Sequence, residues 1–179
     1  MKKLLSILLA AALVCSLSAA ALADFGSEAG SIAASGFVEL DGALYVADSY
    51  AGAVWRVYGS SLKLVAGGSG SGCADGDAGD AVFSEPWALA PYRDGLLISD
   101  SGNGALRYLD LNAGKVYTAL DGLELPTGLA SDGVKVYVAD TGADTIWTLD
   151  KNGGAAKLIT AGLSEPTGLC WQDGVLYIA

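Results

Sequence analysis

The sequence contains no histidine, and that absence excludes more than any residue present. It removes the commonest general base and the commonest zinc ligand together. Without it, a serine nucleophile in a Gly-x-Ser-x-Gly elbow has no imidazole partner. Cysteine is scarce, with three residues in 179, and Cys15 lies in the apolar N-terminus. Cys73 and Cys170 remain, too few for a disulfide framework and too far apart in sequence for their pairing to be read from it. No Cys-x-x-Cys pair and no Gly-Lys-Ser/Thr phosphate loop occurs, so zinc clusters and nucleotide cradles are not expected. Basic residues number ten against 20 acidic ones. A sustained 3.6-residue apolar period is missing beyond the N-terminus, which excludes a helical core.

The apolar N-terminus reads as a secretory signal peptide over residues 1–23. Lys2 and Lys3 supply the positive start, Leu4 to Leu17 the apolar run, and Ala21-Leu22-Ala23 the small-x-small cleavage site. The expected location is therefore secreted or cell surface. Any membrane association would come only through this leader or an anchor further downstream. Once Lys2 and Lys3 leave, eight basic residues face 20 acidic ones, a net charge of −12. Such a surface repels nucleic acid and anionic membrane and is compatible with cations or basic partners.

After a lead-in at 24–33, the chain repeats itself. Pro126-Thr127-Gly128-Leu129 recurs at Pro166-Thr167-Gly168-Leu169, 40 residues on, and Pro86-Trp87-Ala88-Leu89 stands 40 residues earlier. Val136-Tyr137-Val138-Ala139-Asp140 answers to Leu96-Leu97-Ile98-Ser99-Asp100 and to Leu44-Tyr45-Val46-Ala47-Asp48. Leu176-Tyr177-Ile178-Ala179 begins a further copy, and Ala34-Ser35-Gly36-Phe37 is the weaker first one. Each unit reads as four short strands. In the third, Asp132-Gly133 is a hairpin signal between apolar runs, and turns at Asp140-Thr141-Gly142 and Asp150 to Gly154 separate the later strands. A period near 40 with four strands, several of them continuous apolar runs, predicts an all-β fold. The expected form is a β-propeller of four-stranded antiparallel blades stacked face to face. The units fall at about 34–68, 86–122, 126–162 and 166–179, three blades and half of a fourth. An acidic glycine-rich insert covers 69–85. Because the repeat stops partway through a blade, the expectation is an N-terminal fragment of a longer ring.

The pattern resembles the NHL-repeat propellers. Pro126-Thr127-Gly128-Leu129, Tyr137-Val138-Ala139-Asp140-Thr141-Gly142 and the inter-blade run Ala66-Gly67-Gly68, Ala74-Asp75-Gly76, Ala81-Val82-Phe83, Pro86 carry the likeness, over about residues 34–179. The family's Asn-His-Leu signature is replaced by Asn103-Gly104-Ala105-Leu106 and Ala143-Asp144-Thr145-Ile146. The resemblance implies the fold. For function it implies a non-catalytic extracellular module that binds a protein, peptide or glycan, or serves as a scaffold. The alternative is part of a six-bladed calcium-dependent hydrolase similar to gluconolactonases. Such sites use carboxylates and an asparagine around one metal, whereas a zinc lyase of the amidating type would need histidine ligands.

Three sets of residues carry the chemistry that can be read. Asp48, Asp100 and Asp140 end the second strand of successive units, and stacking would set them in a ring. Either that rim takes a cation or basic ligand, or, as their regular recurrence favours, each accepts hydrogen bonds from the turn that follows. Asp75, Asp77 and Asp80 in the insert are the candidate calcium ligands, although their spacing matches no EF-hand loop and a solvated acidic loop is the plainer reading. No other cofactor is implied. Trp55, Trp147 and Trp171 fall inside strands and read as packing. Trp87 breaks the repeat at an inner strand, with Arg93 a few residues on; packing is the plainer reading of it, and the pair is the candidate ligand contact.

Overall fold

The computed structural model describes residues 32–59 and 61–179. The expected leader, 1–23, and most of the lead-in lie outside the described residues. Apart from two single turns of 3-10 helix, every regular element described is a strand. The first sheet is β1 (Ala34–Leu40), β2 (Ala43–Asp48), β3 (Ala53–Tyr58) and β4 (Ser61–Gly67), antiparallel in that order. A short β5 (Gly76–Asp77) follows. Then come β6 (Pro86–Tyr92), β7 (Gly95–Asp100), β8 (Ala105–Asp110) and β9 (Lys115–Leu120). The third sheet is β10 (Pro126–Ser131), β11 (Lys135–Asp140), β12 (Thr145–Asp150) and β13 (Ala155–Ile159). A hairpin of β14 (Leu169–Gln172) and β15 (Val175–Ile178) closes the series. The propeller architecture expected from the repeat is present, as three blades and half of a fourth.

The inner strands β1, β6, β10 and β14 stand side by side, and glycine allows it. A Cβ on Gly36 would lie 2.5 Å from the Trp87 carbonyl oxygen and 2.9 Å from the Ala88 Cα. Gly128 meets the Thr167 carbonyl oxygen in the same way, at the next interface. Between the first two blades an apolar cluster joins Val54, Ala66, Leu96, Ile98, Leu109 and Val116. Between the second and third, Leu97, Leu106, Leu123, Val136, Val138 and Leu149 do the same. The second sheet, held between two clusters, thus buries both faces, which is why β7 carries no polar residue before Ser99.

Hydroxyl groups tie neighbouring blades at the end where the second strands finish. Ser35 Oγ donates to the Pro86 carbonyl at 2.7 Å, Ser101 Oγ to the Pro126 carbonyl, and Thr141 Oγ1 to the Pro166 carbonyl at 2.8 Å. The opposite end is made of hairpin turns. Asp41-Gly42 and Asp173-Gly174 take left-handed φ values at both residues, as two-residue hairpins require. Asp132-Gly133 does turn the chain, but in a longer loop in which Asp132 Oδ1 accepts from the Val134 and Lys135 amides and Ser131 faces Val136.

The insert departs from the solvated loop expected of it. Ala81 and Phe83 are fully buried within the cluster between the first two blades. The Phe83 ring lies against Gly67, whose φ of 78° and missing side chain leave room for it. Burying that side chain is worth about 1.5–3 kcal/mol, a sufficient reason for the segment to fold inward. β5 adds a fifth, outermost strand to the second blade, with Gly76 opposite Val116 and Asp77 opposite Lys115.

Candidate functional site

The three repeat aspartates are buried, at 1 %, 0 % and 2 % exposure for Asp48, Asp100 and Asp140. Asp48 Oδ1 accepts from the Tyr50 and Ala51 amides of the following turn and from the Ala33 amide of the incoming segment. Asp100 Oδ1 accepts from the Ser84 amide at 2.7 Å. Asp140 Oδ1 accepts from the Glu124 and Leu125 amides, both at 2.9 Å. In the second blade Asp100 Oδ2 also accepts from Asn103 Nδ2 of the following turn at 2.8 Å, as expected, whereas in the third blade the partner is the loop entering the blade. These carboxylates lie within the blades and do not form an open rim.

Behind each aspartate stands a third-strand residue. All three third strands carry a register shift just before it, at Val54/Trp55, Leu106/Arg107 and Ile146/Trp147. Such a bulge re-aims the side chain that follows. In the first blade Trp55 Nε1 donates to Asp48 Oδ2 at 3.3 Å. In the second blade Arg107 replaces the tryptophan, and sequence reasoning passed over it. Its side chain is fully buried. Nη1 meets Asp100 Oδ2 at 2.9 Å and the Val82 carbonyl, while Nη2 meets Asp75 Oδ1 at 2.6 Å and the Ala74 carbonyl. One guanidinium thus does the work of the tryptophan and clamps the insert. The signal was available: aligning Trp55 with Trp147 leaves Arg107 as the misfit.

The same contacts account for the candidate calcium ligands. Burial works to raise the Asp75 carboxyl, but the Thr118 amide, the Arg107 guanidinium and the Thr118 hydroxyl together hold it below the usual range. Asp77 pairs with Lys115 at 2.7 Å, which lowers its carboxyl. Asp80 is exposed and joins neither. Among the described residues, no three His, Cys, Asp or Glu side chains converge as a metal set. Cys73 and Cys170 are both free and exposed.

Trp87 and Arg93 are not brought together. They stand at opposite ends of β6, six residues apart at about 3.3 Å each, or roughly 20 Å. Trp87 occupies the place where Thr127, one blade on, is buried and bonded to Thr141. Its indole is 46 % exposed at the end of the inner strands where the aspartates lie. Exposed Glu85, Glu124, Leu125 and Tyr50 belong to loops at that end. Arg93 sits at the hairpin end. Its Nε donates to the Lys151 carbonyl at 2.8 Å, and its guanidinium lies over the Tyr92 and Tyr108 rings at 5.0 and 5.4 Å. Burial pushes both tyrosine hydroxyls above their ordinary range.

Known proteins share this architecture. No family model matches the chain. A stretch of 94 residues is 34 % identical to the Protein SUPPRESSOR OF QUENCHING 1, chloroplastic, of Arabidopsis thaliana. The match covers 49 % of this chain and only 9 % of that protein. Among solved structures, the computationally designed Ika4 protein superposes with a TM-score of 0.62 at 16 % identity, covering 84 % of this chain and 87 % of that one. Virginiamycin B lyase from Staphylococcus aureus gives 0.64 at 15 % identity, over 87 % of this chain and 51 % of the lyase. The Nidogen/Laminin complex gives 0.61 at 14 %, over 82 % and 72 %. This chain is a β-propeller. At these identities the solved structures establish the fold alone.

Proposed function

We propose that this protein is an extracellular, non-catalytic propeller of the NHL-repeat type that binds a protein, peptide or glycan ligand. The observation that carries the reading is Trp87. The repeat's own polar residues are committed to holding blades together, whereas Trp87 breaks the repeat, gives up the hydroxyl clasp made by Thr127 and leaves its indole half in solvent. An exposed tryptophan surrounded by polar residues is what binding surfaces retain. The exposed acids beside it favour a basic partner. Supporting the reading from outside, one solved neighbour of the same fold comes from a complex of two proteins, nidogen and laminin.

The calcium-dependent hydrolase remains the competing reading. It has no converging carboxylates to stand on among the described residues. The test is capture of a peptide and glycan array by the full chain and by Trp87→Ala. Ligands held by the first and lost by the second, with unchanged melting of the variant, support the reading. A ligand set indifferent to Trp87 would contradict it.

A further inference from the structure

At the opposite, hairpin end, three clefts adjoin one another along the second blade. One of about 330 Å³ lies between the first two blades, with Arg56, Tyr45 and Asp41 on one wall and Arg93, Asp94 and Asn112 on the other. A second of about 290 Å³ shares Tyr45, Arg56 and Leu111 with it and adds Tyr58, Lys63 and Asp110. A third of about 440 Å³ shares Arg93 with the first and opens toward the third blade, lined by Tyr92, Tyr108, Tyr117 and Asp110. Arg56 divides the first from the second, and Arg93 the first from the third.

Arg56 is the unexplained group here. Its guanidinium carbon lies 4.6 Å from the Tyr58 ring centroid and 5.7 Å from that of Tyr45, and its Nε is buried without an acceptor. No carboxylate among the described residues pairs with it; the ion pairs there belong to Arg107 and Lys115. A buried guanidinium nitrogen left unmatched costs free energy, and Arg56 also lines the first and second clefts, with no described carboxylate holding it. Tyr58 and Tyr117 are 45 % and 44 % exposed, with one ring face of each covered, by Arg56 and by Tyr108.

We propose that this track binds an acidic oligosaccharide, a chain of pyranose units bearing carboxylates. Arg56 and Arg93 take the carboxylates, bidentate where geometry allows. The tyrosine faces stack on the sugar rings, and the exposed carboxylates of Asp41 and Asp94, with half-buried Asp110, accept from sugar hydroxyls. Those same aspartates would repel a densely sulfated or phosphorylated chain, so the ligand has hydroxyls outnumbering its charges. Three joined cavities match a linear polymer better than a single small molecule. The site is separate from Trp87, so its failure would leave the proposed function untouched.

The test is calorimetry of the full chain with a short oligogalacturonate and with its uncharged galactose counterpart. The acidic oligomer binds, the neutral one binds at least tenfold more weakly, and Arg56→Gln and Arg93→Gln each cost the acidic oligomer about tenfold, as loss of one charged hydrogen bond implies. Arg56→Lys recovers part of that loss, and Trp87→Ala has no effect. Arg93 is exposed but bonds the Lys151 carbonyl and lies over two tyrosine rings, so the melting temperature of each variant is read beside its binding, and only a loss of binding with unchanged melting counts. Equal binding of both oligomers, no binding of either, or indifference to both arginines would overturn the proposal. Arginine-dependent binding of an oligoglutamate peptide in place of the sugar would also overturn it.

Discussion

Replacing Arg107 by alanine should be among the costliest single changes available to this chain. The side chain is fully buried, its partner Asp100 is equally so, and the pair is 2.9 Å apart. Removing the arginine leaves a buried carboxylate whose remaining donors are the Ser84 amide and Asn103 Nδ2 at 2.8 Å. It also strips donors from the Ala74 and Val82 carbonyls. Breaking one side of a buried pair costs about 3–5 kcal/mol. For a chain of this size about 2–4 °C of melting temperature goes with each kcal/mol, so the fall should be about 6–20 °C. Arg107→Trp makes the test sharper. Trp55 donates to its aspartate from this position, whereas Trp147 Nε1 is buried without a partner, so this variant should recover part of the blade's stability and release the insert. Thermal melting by circular dichroism reads the stability, and limited proteolysis between residues 69 and 85 reads the insert. Melting temperature should rise in the order Arg107→Ala, Arg107→Trp, wild type, with Arg107→Trp cut in the insert. A loss under about 1 kcal/mol for Arg107→Ala would refute the clamp.

Other outcomes follow from the same contacts. Gly36→Ala should destabilise by about 1–3 kcal/mol through overpacking against the Trp87 and Ala88 backbone, seen as a lower denaturation midpoint. Thr141→Val removes the donor to the Pro166 carbonyl and a partner of Thr127, and should cost about 1–3 kcal/mol in the same assay. Asp75, Asp77, Asp132 and Asp150 all have carboxyls held below their ordinary values in the folded chain. Their contribution is therefore present above about pH 4 and lost as pH falls through their folded values, so melting temperature should drop below about pH 4, while Asp100, whose carboxyl burial raises, contributes in the opposite sense and lowers stability as pH climbs above about 4. A thiol titration without reductant should find Cys73 and Cys170 both reactive; a protein with no free thiol among them would contradict the geometry.

The blades were legible because each must bury two faces, and burial on both faces forces the same apolar run into every copy. Leu96 to Ile98 and Val136 to Ala139 show it in the sequence as plainly as in the sheets. The insert was misjudged because its aspartates drew attention, whereas Ala81 and Phe83 and the distant Arg107 decide its course. Trp87 was visible as a break in the repeat, but nearness in sequence wrongly joined it to Arg93; an extended strand separates its ends. The clefts at the hairpin end had no sequence signal. Their walls come from residues of different blades, Arg56 and Arg93 among them, and no spacing rule links side chains across a blade interface.

The proposed function is recognition of a ligand without chemistry on it, with the repeat and insert aspartates Asp48, Asp100, Asp140, Asp75 and Asp77 committed to the fold rather than to a metal. Melting the full chain in millimolar calcium and again in chelator tests that most directly. A metal site filled at a thousandfold excess over its dissociation constant would add about 4.1 kcal/mol, many degrees of melting temperature. The melting temperature should be the same in both conditions. A rise of several degrees in calcium, reversed by the chelator, would contradict it and bring the hydrolase reading to the front.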